Sequence, residues 1–248
     1  MYIPPHFHEI DPQEIAALIE AAPLACIVAQ TPEGLVANHV PLLAGPDGTL
    51  IGHVALANDM HRLIAEDQEV LAIFRGEDGY VSPNFYPTKP EHHRHVPTWN
   101  YQVVHVHGGI AFQHDERAKR AAVGLLTRSH ERRLNGADAW RMADAPADYM
   151  QQMLAGIVAF RIEIRRTLAK SKLSQNREAR DYQGAIAGLV FGIVGQLGDL
   201  AASLLKRDAG VKDSSSSLPG FGGVLDIVDS PILVAPAAYW LLRAFGAG

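Results

Sequence analysis

Apolar positions recur three and four residues apart at Ile15, Leu18 and Ile19, just after Asp11-Pro12-x-Glu14. Asp11 suits an N-cap, Pro12 the first turn and Glu14 the reciprocal place in a capping box, so a helix is predicted there. After Leu24 the pattern changes to short apolar runs at 25–29, 36–43, 50–57 and 70–74, broken by Gly, Pro and Asn. Pro46-Asp-Gly48 reads as a turn between two of them, and 58–66 reads as a short helix. His105-Val-His107 continues the strands, Asp115 opens a helix to about 130, and a second helix is predicted over 147–155. Val158, Phe160, Ile162 and Ile164 then alternate with Ala159, Arg161, Glu163 and Arg165, the period of a strand with one buried side. Many short strands with few helices predict a mainly β, α+β fold whose antiparallel sheet closes toward a barrel.

Two segments interrupt this regularity: Tyr80-Val-Ser-Pro-Asn-Phe-Tyr-Pro87 and Val96-Pro-Thr-Trp-Asn-Tyr101. Pro83, Pro87, Pro90 and Pro97 cannot donate to a ladder, so the region reads as a shaped loop between strands. Tyr and Trp offer flat apolar faces with a polar edge, which suits a planar ring ligand as well as a buried aromatic corner.

Composition narrows the classes. The 248 residues carry a formal net charge of −5, which argues against a protein working mainly by neutralising nucleic-acid phosphate. One cysteine, Cys26, excludes an internal disulfide, fits a reducing compartment and sits in an apolar run where an inert thiol is expected. The N-terminus has no basic start followed by an apolar core, and a cytoplasmic protein is expected. His92, His93 and His95 precede Val96, but no carboxylate or cysteine stands at helpful ligand spacing, so a solvated loop is expected there rather than a metal or haem site. Ser82 is followed by Pro and lacks a nucleophile elbow. The basic helix near 115–134 carries interspersed acids and reads as a solvated face.

The order Tyr-x-Ser-Pro-x-x-Tyr-Pro, Val-Pro-Thr-Trp-Asn-Tyr, then Val104-His105 to Gly108 resembles the PaiB-type negative transcriptional regulators, a branch of the flavin-binding split barrels. The opening Met1-Tyr2-x-Pro4 with Phe7 and the later Lys172-Leu-Ser-Gln-Asn176 also fit, so the resemblance covers about 1–183. It implies an FMN-binding split barrel, a homodimer, transcriptional repression and, through the family alone, DNA as a partner. For FMN, Asn58, His61 and Arg62 are the candidates for phosphate, with His39 and His53 on neighbouring strands. Ser82, Tyr86, Thr98, Trp99 and Asn100 are the candidates for the ring and ribityl chain, with Lys172 and Gln175 completing the site from the closing segment. A flavin-dependent oxidoreductase using the same pocket is the alternative, although no nicotinamide fingerprint is visible.

Near residue 184 the composition shifts toward Gly, Ala, Leu and Val, and a hydrophobic helical appendage is expected over 184–248. Gly198-Asp-Leu, Ser203-x-x-Lys-Arg207, Lys212-Asp213, Pro219-Gly-Phe-Gly-Gly223 and Leu225-Asp-x-x-Asp-Ser230 resemble the C-terminal signature of phosphatidate cytidylyltransferases. The resemblance would make Asp199, Asp213, Asp226 and Asp229 the Mg²⁺-side groups, with Lys206, Arg207 and Lys212 on phosphate. Phe221 and Ile227 stand where His and Arg are usual. Only about the last sixty residues match, and the membrane helices that would precede them in such an enzyme do not appear in 1–183. The stretch 184–205 is long enough to span a bilayer, yet Asp199 inside it would cost on the order of 3 kcal/mol. Membrane contact is therefore expected only through 184–248, and transferase activity is not expected. Deleting 184–248 is expected to improve solubility and leave flavin affinity intact.

Overall fold

The structure of the protein is a computed structural model that describes residues 1–45, 47–188, 190, 235, 236 and 239. Its strands are β1 (His8–Glu9), β2 (Leu24–Thr31), β3 (Gly34–Pro41), β4 (Leu43–Ala44), β5 (Thr49–Ala55), β6 (Glu69–Val81), β7 (Thr98–Gln113) and β8 (Ile157–Lys172). Helices α1 (Pro12–Ala21), α2 (Met60–Leu63), α3 (Lys89–His92), α4 (Glu116–Asn135) and α5 (Ala147–Ala155) accompany them. The strands form one eight-stranded sheet in the order β3-β2-β6-β7-β8-β5-β4, with β1 also paired to β8. β2 and β3 form an antiparallel hairpin from Leu24↔Pro41 to Thr31↔Gly34, and β5 runs antiparallel to β8 from Thr49↔Glu163 to Ala55↔Ile157. β3 and β5, far apart along the strand order, lie against each other, which curls the sheet toward closure.

The chain divides into two compact units. The first comprises Met1–Glu77 and Tyr101–Ser171. Its core is built from the inward positions of the strands, among them Ile27, Leu50, Phe74, Val104, Val106, Phe160 and Ile162, all essentially buried. Burying each such side chain contributes roughly 1.5–3 kcal/mol before conformational entropy is charged against it. Gly108 marks a close backbone approach in this unit: a Cβ there would lie 2.2 Å from the Glu163 carbonyl oxygen, so the neighbouring strand leaves no room for a side chain.

The second unit comprises Asp78–Asn100 and Lys172–Gly248. Its described residues have a small apolar cluster of Val81, Tyr86 and Ala185 flanked by Phe85. A helical segment beginning at 179 supplies Ala185 and runs through 188. Gly184 and Gly188 sit one turn apart and meet the 85–87 segment closely: a Cβ on Gly184 would stand 2.3 Å from the Phe85 carbonyl oxygen, and one on Gly188 would stand 2.6 Å from the Phe85 ring.

The predicted architecture, mainly β with helices, is the one observed. Several boundaries differ for physical reasons. Asp11 does cap α1, accepting from the Gln13 amide at 2.8 Å, but the Asp11 amide donates to Glu9 at 3.0 Å, so Glu9 takes the role expected of Glu14. The second aromatic segment is not loop from end to end, because Thr98 to Tyr101 are already part of β7. Thr, Trp and Tyr fit a pleated, half-covered surface, and that preference operates as soon as Pro97 is passed. Likewise β6 extends to Val81, so the irregular region shrinks to 82–97. The helix expected over 58–66 contracts to α2, and α4 runs on to Asn135 before Gly136 stops it at φ 55°. The shift in composition at 184 falls inside the helical segment begun at 179.

That last point alters what truncation should do. A chain ending at 183 loses Gly184, Ala185 and Gly188 and uncovers Val81, Tyr86 and Phe85, whereas one ending at 190 keeps them. At about 25 cal/mol per Å² the shorter chain should lose roughly 2 kcal/mol, a Tm drop of about 5 °C relative to the longer one. Equal melting curves would show that the helical segment does not support this cluster. Gly184→Ala should also lower Tm, although Ala is favoured over Gly in a helix by about 1 kcal/mol.

Candidate functional site

In the second unit, the ends of β6, β7 and β8 bring part of the predicted ring-binding set together. The Lys172 ammonium donates to the Thr98 hydroxyl and to the Trp99 carbonyl. Ser174, at φ 67°, donates from its hydroxyl to Asn100 Oδ1 at 3.0 Å, and Asn100 is buried. Gln175 folds back to accept from the Leu173 amide at 2.7 Å. Beside these anchored groups, Trp99 is 52% exposed and Tyr80 is 50% exposed, their rings meeting edge to face at 5.9 Å and 71°. Half-exposed aromatic faces held by a fixed backbone are available to stack on a planar guest. Ser82 caps the short helical turn Pro83–Phe85, accepting from the Asn84 amide at 3.2 Å, which explains its place after β6 without calling on a ligand.

Tyr86 goes elsewhere. It is only 2% exposed, its ring lies 4.7 Å from that of His95, and the Arg177 guanidinium stands 5.1 Å over its face. Behind His95 is a buried polar knot that sequence reasoning did not find. Asp181 accepts from the Thr88 amide at 3.3 Å and from the Thr88 hydroxyl at 2.8–2.9 Å, and His95 Nε2 lies 2.8 Å from that hydroxyl. The side chains of His95 and Asp181 are 5% and 4% exposed. The Thr88 hydroxyl has one proton, so when it donates to the carboxylate the contact to His95 is one in which a ring Nε2–H donates to Thr88. This leaves His95 Nδ1 and the Tyr86 hydroxyl buried with no partner among the described residues. The expectation that His92, His93 and His95 share a solvated loop is thus corrected for His95, while His92 and His93 are exposed. The only signal in the sequence was the crowding of histidines; its decisive partner, Asp181, lies far along the chain. Among the described residues no group of three His, Cys, Asp or Glu is placed to hold a metal ion.

The residues assigned to phosphate lie in the first unit. Asn58 accepts from the Met60 amide at 2.9 Å and donates to Asn38 at 3.0 Å, which fixes the start of α2. His61 Nε2 lies 3.0 Å from the Leu56 carbonyl, and its ring is 5.5 Å from that of His114. Arg62 pairs with Asp59 at 2.8 Å with both side chains well exposed. His39 and His53 lie at outward positions of β3 and β5, beside the buried Val40 and Val54. His39 is exposed, while His53 is half-buried with Nδ1 unpartnered among the described residues. The tail aspartates Asp199, Asp213, Asp226 and Asp229, with Lys206, Arg207 and Lys212, lie outside the described residues. Among the described residues no helix is long and apolar enough to cross a membrane.

The curled sheet with its flanking helices is a split barrel of the type found in flavin proteins. A solved FAD and heme binding protein from Mycobacterium smegmatis superposes with a TM-score of 0.53 at 18% identity, covering 71% of this chain and 78% of that one. Residues 1–166 match the family described as "Putative FMN-binding domain", and the chain belongs to that family. The Bacillus subtilis "Protease synthase and sporulation protein PAI 2" is 30% identical over 193 residues, covering 76% of this chain and 89% of that protein, so the PaiB-type resemblance holds. Residues 152–245 match the cytidylyltransferase family. The Synechocystis "Phosphatidate cytidylyltransferase" is 54% identical over 62 residues, which are 25% of this chain and 21% of that enzyme. The chain thus spans about a fifth of the enzyme it matches there.

Burial lowers the His53 pKa below its ordinary value. His105 shifts the same way, through burial first and then the charges of the N-terminus and His107. A histidine whose folded pKa is depressed leaves the unfolded chain binding the extra proton at mildly acid pH. Its contribution to stability is complete above about pH 6.5 and is lost as the pH falls through the interval down to the folded pKa. Thermal melts should therefore drop in Tm from pH 7.5 to 5, and His53→Gln should make the decline shallower. An identical slope in the variant would remove His53 from the account.

Proposed function

We propose that this chain binds FMN at the Tyr80–Trp99 face and acts in the cytoplasm as a homodimeric negative regulator of transcription, not as an enzyme. Membership of the FMN-binding family and the split-barrel fold support the cofactor; the PaiB-type resemblance supports the regulatory role and a DNA partner. The observation that carries the reading is the half-exposed, edge-to-face Tyr80–Trp99 pair beside the anchored Lys172. The residues present fit such a guest: the indole gives a flat face, and the lysine gives a positive charge suited to an electron-rich ring edge or a phosphate. When bound, FMN would supply a redox-active tricyclic ring; the chain's part is to stack, orient and shield it. Asn100, locked by Ser174, and Thr98, locked by Lys172, hold the strand end in one conformation, so less ordering cost falls on binding.

We read the C-terminal stretch as carrying the cytidylyltransferase signature without the activity, because only about a fifth of that enzyme is matched and 1–151 belong to a different family's pattern. Its Mg²⁺-side aspartates would then have no substrate to serve, and membrane contact would be the residual role of 184–248.

Purified dimer should show flavin absorbance bands or quench added FMN saturably. Trp99→Ala should weaken FMN by about tenfold, the worth of one stacked aromatic contact, while His93→Ala should leave it unchanged. Equal effects of the two substitutions, or no quenching at high micromolar FMN, would overturn the assignment.

A further inference from the structure

The outer face of α4 carries a feature that neither the flavin reading nor the family membership uses. Gly124, Arg128 and Arg132 succeed one another at intervals of one turn, on the side opposite the buried Ala122 and Leu126. A face of that kind is ordinarily open to water. Here the chain after Gly136 returns beside it, and the two border a water-open groove of about 590 Å³ lined by Arg128, Arg132 and Arg141, all three exposed, together with Gly124, Ala139 and Met142. Gly124 matters because it has no side chain: the Met142 sulfur would lie 3.5 Å from a Cβ at that position, so the returning loop sits directly on the helix surface.

The loop's path is set by hydrogen bonds rather than by apolar packing. Glu131 Oε2 accepts from Asn135 Nδ2 at 2.8 Å and from the Trp140 amide at 3.1 Å, which ties the loop back to α4. The Arg141 amide donates to Asp144 Oδ2 at 2.8 Å and so fixes the residue that brings the third guanidinium. Glu131 and Asp144 are thus engaged with backbone and amide groups. No carboxylate lines the groove, and none forms an ion pair with Arg128, Arg132 or Arg141 among the described residues. A helix C-terminus favours cations and accounts for Arg132 and Arg133, but not for Arg128 two turns from the end or for Arg141 in the loop. Two arginines one turn apart repel each other, and a third lining the same groove adds to the positive charge there. An anion in the groove would offset it.

The geometry points to a binding site for a small phosphorylated anion bearing at least two phosphate charges. Guanidinium forks match phosphate oxygens in pairs, three of them neutralise a diphosphate, and the groove volume is that of a small-molecule site. A nucleic-acid backbone is a poorer match: the chain is acidic overall at −5, and the positive charge is gathered in one concavity instead of along an extended stripe.

The test uses the full chain with inorganic pyrophosphate as the probe, titrated calorimetrically at fixed ionic strength. Saturable one-site binding is expected, falling at least tenfold in Arg128→Gln/Arg132→Gln and in Arg141→Gln, and unchanged in Arg120→Gln, whose side chain pairs with Glu116 on the same helix. The double variant should keep wild-type FMN affinity. Binding unaffected by either groove variant, or heat that only tracks ionic strength, would overturn the proposal. So would competition between FMN and pyrophosphate, which would make this a flavin site, or binding of a short DNA duplex without binding of pyrophosphate.

Discussion

The second unit hangs on one carboxylate. Asp181 is almost wholly removed from water, and its oxygens are held by the amide and hydroxyl of Thr88 with His95 behind them. A buried charge is tolerable only while its partners are in place, and stripping one away costs on the order of 3–5 kcal/mol. This knot ties the segment after β8 to the proline-rich loop between β6 and β7. It explains why Tyr86 is enclosed and why the helical segment from 179 meets that loop through glycines and an alanine. The close approach brings the carboxylate within reach of Thr88, and bulkier residues at 184 and 188 would hold it off.

The same loop therefore separates two kinds of aromatic residue that look alike in the sequence. Tyr86 serves as packing, pressed between His95 and Arg177. Tyr80 and Trp99 lie at strand ends, where one side of each ring stays open. The difference comes from position along β6 and β7 and owes nothing to residue type. It turns a broad aromatic signature into one candidate face for a flat cofactor, supported by Lys172 and a locked strand end.

The chain also joins matches to two families that meet around 152–166. The helical segment at 179–188 shows that residues beyond the regulator-like pattern are used structurally, since Gly184, Ala185 and Gly188 complete the small cluster of the second unit. The match to the Synechocystis cytidylyltransferase covers about a fifth of that enzyme's length.

Much was legible without coordinates: the strand runs and the caps at Asp11 and Asp115, the helix over 147–155, the alternation of Val158, Phe160 and Ile162, and the family motifs around Tyr80 and Trp99. Those are local facts, written in spacing of two or near four and in residues with particular backbone demands. What only the tertiary structure decided was contact at long sequence separation. Burial of His95 depends on Asp181, the openness of Trp99 on where β7 begins, and the arginine groove on a loop folding back beside α4. Periodicity reports which way a side chain faces on its own element. It does not report which distant backbone will arrive to cover that face or leave it bare.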